Sequence, residues 1–439
     1  MSTTRRSTAD QATFQTSAPN TLLTLYRRTR QRTLSLVEPL SEEDCCVQSQ
    51  LSCSPAKWHL GHTTWFFERF IAVDALGKSA YNDRFEFLFN SYYNALGDRQ
   101  PRACRGLLTR PGLGEVLAYR HVVDDAVCEA LEQDRLPQQA LAALRLGLNH
   151  EQQHQELLLM DIKHLFSCSP LHVPYIDDEP AEEVSSASSA HWVEFAGGLT
   201  EVGAIAGDGF TFDNESPRHR VFREPFALQN RLITNGEYRA FVEDNGYERA
   251  ELWLDAGWRA RSQAEWRMPA YWCEVDGVLC EFTLYGTRPL RDAEPVLHLS
   301  YFEADAFARW SGARLPTEFE LETAYPTSAG DDDANGRLLE AGRFHAAPAV
   351  ERSDRSVMRQ VRGDAWEWTS SSYGPYPGYR PPPGAVGEYN GKFMCNQYVL
   401  RGGSFATPTD HLRSTYRNFF EPGDRWQFSG LRLARSLNA

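Results

Sequence analysis

Two histidines four residues apart, His150 and His154, offer the plainest chemistry in this chain. They lie in a stretch, 141–166, that is rich in Leu, Gln and Glu and free of Pro. These are good helix formers. Leu141, Leu144, Leu148, Leu158, Ile162 and Leu165 recur at helical spacing, which predicts a buried or half-buried helix. On it the two imidazoles stand one above the other and can reach one divalent metal ion. Gln153, three residues after His150, can point into the same space. The plain alternative is a pair of polar histidines satisfied by water. An otherwise apolar helix weakens it, because buried imidazoles need partners. A third ligand is sought in Trp58-His59-Leu60-Gly61-His62-Thr63-Thr64-Trp65-Phe66, a second aromatic-rich helix. His62 is the preferred candidate and His59 its competitor. Three neutral imidazoles suit Zn, Fe, Ni or Cu and do not choose among them.

Four helices must position these groups: 20–40, 58–75, 115–131 and 137–166, which together suggest an antiparallel bundle. The connection 85–111 is long enough to be functional or disordered. It carries Tyr92 and Tyr93, readable as packing aromatics or as acids, and then Arg99, Arg102 and Arg105, suited to a carboxylate. Pro170, Pro174, Pro180 and the run Ser185-Ser186-Ala187-Ser188-Ser189 mark a linker over 168–190. It divides a helical domain, 19–167, from a second domain, 191–439. That second part has short apolar runs, many Gly, Pro and aromatic residues, and two clear helices at 234–245 and 301–311. It reads as irregular α+β.

The formal net charge of −14 argues against a nucleic-acid footprint. No run of 18 apolar residues exists, so no membrane helix is expected. Residues 1–18 are polar, lack the apolar core of a signal peptide, and are expected to form a disordered tail. Nine scattered cysteines without a Cys-x-x-Cys pair suggest a reducing cytoplasm rather than a disulfide framework.

The second part resembles the formylglycine-generating (sulfatase-modifying factor) family. The resemblance rests on Phe212-Asp213-Asn214-Glu215, Ile233-Thr234-Asn235-Gly236-Glu237, Arg314-Leu315-Pro316-Thr317-Glu318-Phe319-Glu320, Gly363-Asp364-Ala365-Trp366-Glu367-Trp368-Thr369, Arg401-Gly402-Gly403-Ser404-Phe405 and Gly430-Leu431-Arg432. It implies a C-type-lectin-like fold. Formylglycine-generating members use paired cysteines near the segment that here contains Ser414, and Cys395 has no nearby partner. Their thiol chemistry is therefore not expected. The first part resembles the DinB-like four-helix metal-binding domain. The pairing of the two, with His62, His150 and His154, resembles the ergothioneine-type sulfoxide synthases (EgtB family). The implied fold class is α+β, a DinB-like bundle followed by an irregular C-type-lectin-like domain.

That resemblance implies a three-histidine Fe(II) centre joining a cysteine-derived thiol to C2 of hercynine, N-α-trimethylhistidine, with O₂, to give a sulfoxide. Tyr93 is the expected acid, with Tyr92 second and Tyr373 as the alternative. Gln153 is expected to bond the hercynine imidazole. Tyr376, Asn418 and Phe419 are expected around its trimethylammonium and carboxylate groups, and Arg99 and Arg102 on the carboxylate of the thiol. The branch using γ-glutamylcysteine carries Trp-Asp where Phe419-Phe420 stand here. Phe420 cannot meet a charged glutamyl end, so free cysteine is the expected donor. Three rivals remain. An ovothiol-type synthase would use histidine at C5, and such proteins commonly carry a methyltransferase domain, for which no Gly-rich nucleotide-binding segment is seen. A zinc-dependent thiol transferase on the same helical domain would not consume O₂. A binding module would leave the histidines idle.

Overall fold

The computed structural model describes residues 19–91, 93, 97–180, 188–327, 337–351, 354 and 356–437. In the first part, α1 (Pro19–Val37), α2 (Ala56–Phe67), α3 (Arg84–Phe89), α4 (Leu113–Glu132) and α5 (Gln138–Ser167) are helical. Helices α1, α2, α4 and α5 form the bundle, with α2 packed on α4 and α5, and α1 on the same two. A π-helical turn, Glu68–Val73, prolongs α2. The segment expected as a bare connection contains α3 and a 3₁₀ turn, Arg102–Leu107. They escaped a reading by period because each is only six residues long.

Helix α5 is long because Leu144, Leu148, Leu158, Leu159 and Ile162 bury one continuous stripe. Gly147 lets it approach α2. A Cβ there would lie 2.6 Å from the Phe67 ring and 2.8 Å from Phe66, closer than packed carbons allow. Glu151 fastens the bundle from within. Its carboxylate is fully buried and accepts from Arg30 Nη1 at 2.9 Å, Thr33 Oγ1 at 2.6 Å and Arg120 Nη2. Burial alone would raise its pKa, but the guanidiniums of Arg120 and Arg30 outweigh that and bring it down to about 2.

The second part carries helices α6 (Asn235–Glu243), α7 (Asp255–Gln263), α8 (Tyr301–Trp310) and α9 (Glu318–Ala324). Its strands are β1 (Trp192–Phe195), β2 (Gly198–Val202), β3 (His219–Arg223), β4 (Phe226–Gln229), β5 (Trp272–Val275), β6 (Val278–Thr283), β7 (Gly286–Pro289), β8 (Trp366–Ser372), β9 (Tyr398–Arg401), β10 (Asn418–Phe420), β11 (Ser429–Gly430) and β12 (Ala434–Ser436). They form four small sheets, of orders β1-β4-β12, β10-β9-β8-β11, β2-β3 and β5-β6-β7. Three of the helices start with reciprocal capping boxes: Thr234/Glu237, Ser300/Glu303 and Thr317/Glu320. The motif residues of this half therefore build the scaffold. Glu318 is buried between Arg401 and Arg417, and Glu367 pairs with Arg432.

Helix α5 also joins the two parts. Glu156 is buried and accepts from Trp366 Nε1 at 2.7 Å, Thr407 Oγ1 at 2.8 Å and Ser404 Oγ. Gln152 donates to Asp410 at 2.8 Å, and Lys163 Nζ meets His298 Nε2 at 2.6 Å. Among the described residues, no helix is long and apolar enough to cross a membrane.

Candidate metal centre and active site

His62 from α2 and His150 and His154 from α5 converge, with one nitrogen of each within 4.8 Å of the others. All three rings are buried. Burial and then the charge of neighbouring rings hold His62 and His154 well below the ordinary histidine range. Burial brings His150 to about 3, against the opposing pull of Glu151. The trio is therefore neutral and offers lone pairs.

Its tautomers favour an ion. His62 Nδ1 lies 2.6 Å from the Phe89 carbonyl, which can only accept, so Nδ1 carries the hydrogen and Nε2 is bare. That Nε2 stands 3.1 Å from His150 Nε2. Two nitrogens each about 2.1 Å from one ion, at right angles, stand about 3.0 Å apart. His150 Nδ1 is buried without a partner among the described residues. The donor set fits a divalent transition metal, and a hydrogen bond from the ligand to a backbone carbonyl is the usual support for one. His59 lies outside this trio, with its nitrogens on His154 and Asp161.

His150 and His154 of the trio line a cavity of about 740 Å³ between the two parts, with His62 buried behind them. Gln153, Arg99, Arg102, Asn418, Phe419 and Phe420 all line it. The last three sit on β10, held by antiparallel pairing with β9. Arg102 also donates to the Ser52 carbonyl. Arg105 donates to Ser54 Oγ at 2.9 Å and Ser91 Oγ at 3.0 Å, with its guanidinium 3.3 Å from the centre of the Trp58 ring. At the far side Asp424 lines the wall. Burial and then the nearby Glu421 push its carboxyl up to about 7.

Several sequence-predicted residues lie elsewhere. Tyr376 is not on the cavity wall. Its hydroxyl donates to Glu318 Oε2 at 3.2 Å and accepts from Arg401 Nη2 at 3.1 Å, because the buried Glu318 needs donors. Tyr373 also lies behind the wall: its hydroxyl accepts from Asn214 at 2.9 Å and its ring stacks on Phe419 at 4.0 Å. Tyr93 is fully buried with its ring among Trp65, Phe66 and Phe70, and is not among the lining residues. Tyr92 lies outside the described residues.

Two tyrosines that the sequence reading passed over do line the cavity, Tyr389 and Tyr416. Tyr389 Oη donates to Gln153 Oε1, and Gln153 Nε2 donates to Tyr416 Oη at 2.6 Å. The Tyr389 ring is 5.6 Å from that of His150 and stacks on Phe212 at 5.4 Å. Phe212 opens a quoted motif, but Tyr389 sits in irregular chain without a period to flag it.

Two family models cover the chain: the DinB superfamily over residues 25–158 and the sulfatase-modifying factor enzyme 1-like domain over 178–437. The hercynine oxygenase of Mycolicibacterium thermoresistibile is 33% identical, over 92% of each chain. That of Mycobacterium tuberculosis is 32% identical, over 95% of this chain and 99% of its own. Ergothioneine biosynthesis protein 1 of Schizosaccharomyces pombe is 32% identical over 52% of this chain and 28% of its own length. With both domains matched in order and full-length relatives above the thirty-percent level, this chain belongs to the hercynine oxygenase family, in which a DinB-superfamily bundle is joined to a sulfatase-modifying-factor-like domain.

Proposed function

We propose that this chain is an iron- and O₂-dependent sulfoxide synthase of ergothioneine biosynthesis, joining cysteine to hercynine. The observation that carries the reading is the neutral His62–His150–His154 trio, two of whose rings line a cavity with walls that suit two amino-acid substrates. The overall reaction is hercynine plus cysteine plus O₂ to hercynylcysteine sulfoxide plus water. One oxygen atom ends on sulfur and the other in water.

Fe(II) held by His62, His150 and His154 would favour the thiolate of a bound thiol, as zinc also would, and would supply electrons for O₂ reduction, which zinc cannot. The chain's own residues do the rest. Gln153, fixed between Tyr389 and Tyr416, presents its amide to the hercynine imidazole. Phe393, Phe419 and the Tyr389 ring offer aromatic faces to the trimethylammonium group, and Asn418 offers an amide to its carboxylate. Arg99 and Arg102 take the carboxylate of the thiol substrate. Tyr389 Oη holds a proton that it can lend to the reacting oxygen and recover from the substrates before turnover ends, a role its place on the wall supports over Tyr93. Apolar Phe420 offers no charge to a glutamyl end at its own position on the wall, which favours free cysteine. A reducing cytoplasm accords with nine free cysteines.

The test is Fe(II) reconstitution followed by paired-substrate turnover, with O₂ uptake and product mass measured together. A zinc transferase would alkylate or transfer the thiol without consuming O₂. An ovothiol-type enzyme would accept histidine in place of hercynine.

A further inference from the structure

His59 and Asp161 form a chain leading away from His154, and its hydrogens can be assigned one after another. Asp161 accepts the Ser54 backbone N–H at 2.8 Å and the Trp426 indole N–H at 3.2 Å. Its Oδ2 also lies 3.0 Å from His59 Nε2. A carboxylate only accepts, so His59 Nε2 carries a hydrogen. With His59 neutral, its other nitrogen is then a bare acceptor. That nitrogen, His59 Nδ1, stands 2.8 Å from His154 Nδ1. Two bare nitrogens would repel at this distance, so His154 Nδ1 carries the hydrogen. Nε2 is left as the single lone pair His154 can give to an ion. His59 and Asp161 are both buried at the cavity wall.

We propose that His59 and Asp161 are a positioning pair that fixes the tautomer and ring orientation of His154 for metal binding. The proposal rests on the metal-centre reading above. Trp426 takes part as well. Its indole ties the pair to the second domain, a few residues beyond β10, which carries three of the cavity's wall residues. Closing the two domains together and orienting a metal ligand thus share one carboxylate. An imidazole that donates its second nitrogen to a fixed acceptor is a more basic and better-aimed ligand. His59 gives that acceptor without itself reaching the ion, since both of its nitrogens are engaged.

The test uses the full-length metal-free protein titrated with Co(II), followed by visible absorption, with wild type and His62→Ala as references. His59→Ala and Asp161→Asn are expected to weaken Co(II) binding by about 10- to 100-fold. One ion per chain and the wild-type absorption envelope should persist. His59→Asn, whose Oδ1 can accept where Nδ1 did, is expected to recover most of the loss. Unchanged affinity in both His59→Ala and Asp161→Asn would overturn the proposal. So would a changed envelope with binding lost as fully as in His62→Ala, which would make His59 a ligand. Asp161→Asn is nearly isosteric and decides the matter should His59→Ala not fold. Failure of the wild type to bind Co(II) would strike the metal reading itself, not this pair.

Discussion

Replacing Tyr389 by Phe removes one oxygen atom from the cavity wall, and its consequences can be worked from the contacts. The fold loses the hydrogen bond to Gln153 Oε1 at the cavity wall. That costs about 1 kcal/mol, too little to unfold the chain. The ring keeps its stack on Phe212. The chemistry loses a positioned acid, which is worth about 10²- to 10⁴-fold, or about 2.7–5.4 kcal/mol in the barrier. Without that proton, oxidation of the thiol alone should compete. The assay is O₂ uptake with mass-spectrometric measurement of hercynylcysteine sulfoxide against cysteine sulfinate. In Tyr389→Phe the sulfoxide rate is expected to fall by about 10² or more, with sulfinate the main product. Tyr93→Phe, altered inside the packed cluster of Trp65, Phe66 and Phe70, is expected to keep the wild-type product ratio. The sequence alone leads to the reverse expectation, with Tyr93→Phe diverting the product. Sulfinate from Tyr93→Phe and unchanged sulfoxide from Tyr389→Phe would refute the reasoning from the cavity wall.

Other perturbations follow from the same contacts. His154→Ala removes one of three imidazoles and should abolish stoichiometric iron binding, measured by metal analysis after Fe(II) loading. Glu156→Ala leaves the Trp366, Ser404 and Thr407 donors buried without their acceptor, and should cost about 3–5 kcal/mol in denaturant unfolding. Phe420→Asp places a carboxylate on the wall and should raise kcat/KM for γ-glutamylcysteine about tenfold relative to cysteine, the worth of one charged hydrogen bond. Lys163 is a pH test: burial lowers its pKa to about 7, well below the ordinary lysine value. Its charged form is thus disfavoured by folding. Wild type should lose stability relative to Lys163→Met as pH falls from about 10 to 7, by at most about 1.4 kcal/mol per unit, with no further change below. A difference in melting temperature that stays constant over that range would contradict the assignment.

The pairing of His150 with His154 was legible because helical period and ligand spacing coincide: an i, i+4 pair on an apolar stripe leaves few choices of facing residue. His62 against His59 was not legible, since both sit on one buried helix. Only the carbonyl of Phe89 and the carboxylate of Asp161 separate them in space. Asn418, Phe419 and Phe420 were named from the family resemblance and lie on β10, the edge strand of its sheet. Tyr376 was named from the same resemblance. It is near a motif in sequence, but the buried Glu318–Arg401–Arg417 cluster claims its hydroxyl. Tyr389 gave no signal because it reaches the cavity on an irregular segment, where neither period nor cap fixes direction. The helices α3 and α9 gave no signal because fewer than two turns show no clear period.

The most direct test of the central claim is a single turnover experiment on the full chain. The protein is loaded with Fe(II) without air, given hercynine and cysteine, and then exposed to O₂, with gas uptake and product mass recorded together. Uptake coupled to a hercynine–cysteine sulfoxide is the predicted result. Bound iron with no O₂ uptake for any thiol and imidazole pair would contradict the account.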